Sequence, residues 1–174
     1  PGPGEDFLET MNTVLGDLPI IAEDLGEITP DVIELRDQFN LPGMKILQFA
    51  FSGPDNAFLP HNYSPNCVTY TGTHDNDTAC GWYKSAPEHE RDFARRYLAT
   101  DGENFGWDLI RAAWASVAAY AITPMQDLLS LGTEARMNYP STLGGNWTWR
   151  MNDKTLTYEL RSRLGELNYI YRRS

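Results

Sequence analysis

Cys67-Val-Thr-Tyr-Thr-Gly-Thr-His-Asp-Asn-Asp-Thr78 runs from a short apolar, β-branched segment straight into a loop of hydroxyl, imidazole, carboxylate and amide groups. A short run that is apolar on both faces and ends abruptly at its loop reads as a buried strand of a parallel sheet. The same hand-over occurs twice earlier in the chain. Pro19-Ile-Ile-Ala22 stops at Glu23-Asp24-Leu25-Gly26, and Gly43 to Phe51 precedes a long polar loop through Pro54, Pro60, His61, Asn62 and Pro65. Ala121 to Met125 is a fourth strand candidate, with Pro124 at its end because proline removes a ladder donor.

Helical patterns separate these runs. Glu5 to Leu15 carries Phe7, Leu8, Met11 and Leu15 on one side. Thr29 as N-cap and Pro30 at the first helical position open a second helix, with Val32, Leu35 and Phe39 as its inner face. Ser85-Ala-Pro-Glu88 reads as a capping box opening a helix to about Leu98. Trp107, Ile110, Trp114, Val117 and Ala121 step by three and four along another, Asp127 to Leu131 is a short helical turn, and Thr155 to about Leu167 forms the last helix. Strands alternating with helices imply parallel β/α units. A full (β/α)₈ barrel takes about 250 residues, so four units predict the C-terminal half of such a barrel, with residues 1–174 as one segment. The opening Pro-Gly-Pro-Gly, without an initiator Met, also predicts a piece of something longer.

The chain has 174 residues, 14 Lys+Arg against 24 Asp+Glu, and a net charge of −10, which opposes the polyanionic surfaces of nucleic acid and anionic lipid. Ala112 to Ile122 is the longest apolar stretch, broken by Ser116 and shorter than the roughly 20 residues a bilayer crossing needs. With 41% hydrophobic and 22% charged residues the composition is that of a globular protein rather than a disordered one. Cys67 and Cys80 read as free thiols, since a chain of this length can build its core without staples. No metal is expected. Cys67, His74 and Cys80 lack the paired spacing of structural zinc sites, and Asp75-Asn-Asp77 starts like a calcium loop but places Cys80 where glycine is required. His61 and His89 read as isolated structural or surface histidines.

Two acids stand out because both lie at strand ends, where barrels assemble their sites. Glu23 follows an apolar run, where partial desolvation favours a general acid; a solvated loop acid or a backbone anchor is the alternative. Asp75 is flanked by His74, Asn76 and Asp77, a set suited to sugar hydroxyls; an Asx-type turn is the alternative. Together a protonated acid and a second carboxylate are what glycoside chemistry requires. Trp147 and Trp149 beside Asn146, and Phe49 and Phe51 beside Gln48, offer apolar faces and amides for a sugar ring, or else belong to the core.

The stretches Ile21-Ala-Glu-Asp-Leu-Gly-Glu-Ile-Thr-Pro30, Leu41-Pro-Gly-Met-Lys-Ile-Leu-Gln-Phe-Ala-Phe51, Phe58-Leu-Pro-His-Asn62, Tyr70 to Thr78, Gly132-Thr-Glu-Ala-Arg-Met-Asn138 and Gly145-Asn-Trp-Thr-Trp-Arg150 strongly resemble the 4-α-glucanotransferase (amylomaltase, disproportionating enzyme) family. They run in the family's order and match its C-terminal part. The resemblance implies a (β/α)₈ barrel and retaining transfer of α-1,4-glucan segments between maltooligosaccharide or starch chains. It makes Glu23 the acid/base and Asp75 the transition-state stabiliser, with His74 gripping the sugar and Asn146 and Trp147 as second-rank candidates near the glucan cleft; Asn76 and Gln48 stand as substrate-binding candidates on their amide chemistry and their neighbours alone. It implies no cofactor, and a cytoplasmic location in bacteria or a plastidial one in plants. The family's nucleophile, an Asp in an Arg-Ile-Asp-His-Phe-type motif on the preceding strand, has no counterpart here, so the chain is expected to need the N-terminal barrel half. Ser141 stands where a Gly commonly follows Tyr-Pro. A non-catalytic glucan-binding module and an α-glucan hydrolase are the alternative functions.

Overall fold

The computed structural model describes residues 2–173; Pro1 and Ser174 lie outside the described residues. Its sheet has three parallel strands in chain order, β1 (Gly43–Ile46), β2 (Cys67–Tyr70) and β3 (Tyr120–Ile122). Met44 pairs with Val68, and Val68 with Tyr120. The helices are α1 (Gly4–Leu15), α2 (Pro30–Gln38), α3 (Ala79–Ser85), α4 (Glu88–Leu98), α5 (Phe105–Ala115), α6 (Met125–Leu128) and α7 (Tyr158–Tyr171).

The core gathers around α5, whose Phe105, Trp107, Leu109, Ile110, Ala113 and Trp114 are all buried. Phe105 stacks on Tyr83 at 4.3 Å and on Trp82 at 5.4 Å between ring centroids, and Phe51 packs on Trp82 at 5.5 Å. Offset and edge-on aromatic pairs of this kind add about 0.5–1.5 kcal/mol each beyond their buried area. The carbonyls at the end of α5 are satisfied by Arg173, which donates to Trp114 O at 3.0 Å, Ser116 O at 2.8 Å and Ala118 O at 2.6 Å. A cation thereby meets the negative end of the helix dipole.

The first predicted strand, Pro19–Ala22, forms no ladder, whereas the fourth, Ala121 to Met125, is realised in part as β3. Ala22 N–H donates to Pro42 O, just before β1, at 2.9 Å, while the Met44 N–H is taken by the Asp24 carboxylate at 2.7 Å. β1 also stops early, because Leu47–Phe49 turns into a 3₁₀ helix after Ile46. Ser85 opens no capping box. It is the last residue of α3, and its hydroxyl donates to Gly81 O at 3.0 Å. α5 ends at Ala115, leaving Val117 57% exposed, and Ala121 lies in β3. No residue of α2 is buried, and Val32 of its predicted inner face is 41% exposed.

Candidate active site

The loop following β2 is fastened at both ends by one carboxylate. Asp127, 1% exposed, accepts from the Thr71 hydroxyl at 2.6 Å and from Ala79 N–H at 2.7 Å. Burial pushes the Asp127 carboxyl above the ordinary carboxylate range, and these two bonds oppose the shift. Between the anchors, Asn76 Oδ1 accepts from both the N–H and the hydroxyl of Thr73 at 2.9 Å, and Gln48 Nε2 donates to Asp77 O at 2.8 Å. Gly72 is required here, since a Cβ would strike the Gln48 amide. Gln48 and Asn76 thus shape the loop from within.

This frame presents His74 and Asp75 to solvent, with side chains 56% and 48% exposed and His74 Nε2 3.4 Å from Asp75 Oδ1. Asn138 Nδ2 donates to that same oxygen at 2.6 Å, and Arg136 Nη2 donates to Asp75 O at 2.7 Å.

Glu23 and Asp24, adjacent in sequence, have opposite surroundings. Asp24 is the backbone anchor, bonded to Met44 N–H and to Arg36 Nη1 at 2.6 Å. Glu23 is exposed, so the desolvation expected of it is not supplied by the described residues. It nevertheless lines the same cavity as Asp75, a space of about 360 Å³ that also borders Tyr70, Thr73, His74 and Thr123. The two acids read from separate strand ends therefore share one pocket at the C-terminal side of the parallel sheet.

A second, smaller cavity of about 160 Å³ lies beside it, bordered by His74, Asn76, Asp127, Arg136 and Trp147. The Trp147 ring is 50% exposed and lies 5.0 Å from the His74 imidazole, tilted by 36°. Asn146 points into its own loop, accepting from Tyr139 N–H at 3.0 Å and donating to the Thr142 hydroxyl at 3.0 Å. Phe51 is core at 1% exposure, whereas Phe49 is 44% exposed. Asp127, Arg136 and Asn138 were not singled out from the sequence. Arg136 and Asn138 lie in the family-like stretch Gly132–Asn138 and Asp127 opens the predicted helical turn, which were the signals that could have drawn attention to them.

Among the described residues no group of three or more His, Cys, Asp or Glu is placed to hold a metal ion. Cys67 and Cys80 are free, and burial raises both thiols above their ordinary values. No helix is long and apolar enough to cross a membrane among these residues.

Residues 1–157 match the glycoside hydrolase 77 family model, described as 4-alpha-glucanotransferase. A 4-alpha-glucanotransferase of Thermus thermophilus is 52% identical over 171 residues, covering 93% of this chain and 34% of that protein. A chloroplastic/amyloplastic 4-alpha-glucanotransferase of Arabidopsis thaliana is 48% identical over 177 residues, covering 99% of this chain and 31% of that protein. The solved amylomaltase of Streptococcus agalactiae in complex with acarbose superposes with a TM-score of 0.95 at 39% identity, over 100% of this chain and 36% of that one. The chain spans about a third of the length of these relatives, and its α/β fold is that of part of an amylomaltase barrel. Matching family model, identity and fold together, the chain belongs to the 4-alpha-glucanotransferase family.

Proposed function

We propose that these residues form the acid/base and stabiliser side of a 4-α-glucanotransferase site acting on α-1,4-glucans and maltooligosaccharides. The observation that carries this reading is the single pocket shared by Glu23 and Asp75. In the first half-reaction Glu23 gives its proton to the glycosidic oxygen as a nucleophilic carboxylate forms a bond to the anomeric carbon and the leaving chain departs. In the second, ionised Glu23 takes the proton of an acceptor 4-hydroxyl, whose oxygen displaces that carboxylate. Asp75 binds ring hydroxyls more strongly as the oxocarbenium-like state develops, so it lowers the barrier rather than merely holding substrate.

The nucleophile belongs to an upstream barrel half, with which residues 1–174 act. The chemistry needs carboxylates alone and no cofactor. The partners are a glucan and that upstream half, with neither nucleic acid nor a membrane surface, and the compartment is cytoplasm or, in a plant, plastid. The test is maltotriose disproportionation by the 174-residue chain alone and by a single polypeptide joining it to the upstream part of the Thermus thermophilus relative. The chain alone leaves maltotriose unchanged, whereas the joined protein yields glucose and longer maltooligosaccharides. Glu23→Gln in the joined protein lowers transfer by about 10²–10⁴-fold, the usual range for general acid–base catalysis, with maltooligosaccharide affinity retained. Transfer by the isolated chain, or undiminished transfer by Glu23→Gln, overturns the assignment.

A further inference from the structure

We infer that Asn138 is a positioning residue, fixing the Asp75 carboxylate and tying it to the tryptophan loop; the inference rests on the reading of Asp75 as stabiliser. Three bonds join the Arg136–Asn138 segment to the His74–Asp75 pair. Asn138 Nδ2 donates to Asp75 Oδ1 at 2.6 Å, Asn138 N–H to His74 O at 3.1 Å, and Arg136 Nη2 to Asp75 O at 2.7 Å. Arg136 Nε also donates to Asn138 O at 2.9 Å, which locks the segment on itself. On its other edge, Met137 O accepts from Trp147 N–H at 2.7 Å. One short stretch thus holds the carboxylate on one side and the tryptophan on the other.

Asp75 needs such a hold. Its side chain is about half exposed, and its one bond within the loop is from its own N–H to the Thr73 hydroxyl at 3.3 Å. Among the described residues, the donors near its carboxylate, Asn138 and His74, both face Oδ1. Oδ2 has no partner there. One oxygen is restrained and the other is left for a sugar hydroxyl. Removing the Asn138 amide releases the carboxylate to other rotamers, and a misplacement of about 1 Å can cost on the order of 10²-fold in rate.

The test uses the joined polypeptide and maltotriose across a pH series. Asn138→Ala lowers kcat by about 10- to 100-fold and leaves KM within about threefold, because the bond orients a group that acts in the transition state. Asn138→Asp is nearly isosteric. At neutral pH it sets a second carboxylate against Asp75 and loses at least as much. As the pH falls toward about 5, a shared proton restores a donor and its activity rises relative to the unmutated enzyme. Asn138→Ala shows no such recovery. Equal, pH-independent losses in both variants indicate loop packing alone and overturn the inference, as does kcat within about twofold of the unmutated enzyme in both. An undiminished rate in Asp75→Asn overturns instead the reading of Asp75 beneath it.

Discussion

Arg36 donates to the Asp24 carboxylate at 2.6 Å, and the other oxygen of that carboxylate takes the Met44 N–H at 2.7 Å. The ion pair is largely shielded, with side-chain exposures of 20% for Arg36 and 8% for Asp24. Asp24 thereby binds α2 to β1 and fixes the backbone from which Glu23 projects. Asp24→Ala leaves a partly buried N–H and guanidinium without their acceptor, which costs about 1–3 kcal/mol. Urea unfolding measures that loss, and transfer activity falls with it although Asp24 does not line the pocket. Asp24→Asn keeps an acceptor for Met44 and loses less.

Asp127 makes stability depend on pH in a sense opposite to that of a surface carboxylate. Burial raises its folded value above the ordinary 3.8, so the folded state holds this proton more tightly than the unfolded one. Its contribution is full below the unfolded value and is lost as pH rises through the folded value. Asp127→Asn removes that dependence. Urea midpoints measured from about pH 4 to pH 7 therefore fall more steeply with rising pH in the unmutated chain than in the variant.

Trp147 offers an exposed aromatic face beside His74. Trp147→Ala weakens maltooligosaccharide binding by about two- to tenfold, in keeping with the roughly 0.5–1.5 kcal/mol of an aromatic contact. Isothermal titration with the joined polypeptide reads this directly.

β3 leaves Tyr120 64% and Ile122 42% exposed at the edge of the sheet. An open edge carrying large apolar side chains templates pairing with another chain. The isolated 174-residue chain therefore self-associates in light scattering, eluting well above 19.7 kDa. Joining the upstream part suppresses this.

Sequence patterning served best where structure is decided locally. The hand-over from Cys67–Tyr70 to the His74–Asp75 loop was readable because an apolar run and its polar continuation adjoin in the chain. Ser141 adopts φ 64°, in the left-handed region that favours glycine, a backbone conformation that was not read from the sequence. Pro19–Ala22 was misread because its ladder depends on a Met44 N–H that Asp24 claims. The overrun of α5 has a similar cause. The three-and-four spacing continues past Ala115, but the helix ends where Arg173 collects its carbonyls. Asn138 meets Asp75 from 63 residues away and Asp127 meets Thr71 from 56, separations at which spacing carries no signal.

Those separations govern how the chain reaches its native state. Closing long loops costs entropy before any contact repays it, and folds dominated by distant pairings form slowly. Helices α3 to α5 can form from near neighbours, whereas β2 must find β3 across the intervening chain before Asn138 can reach Asp75. The restrained carboxylate is thus among the last features to be acquired. Refolding monitored by helical signal will run ahead of refolding monitored by glucan binding.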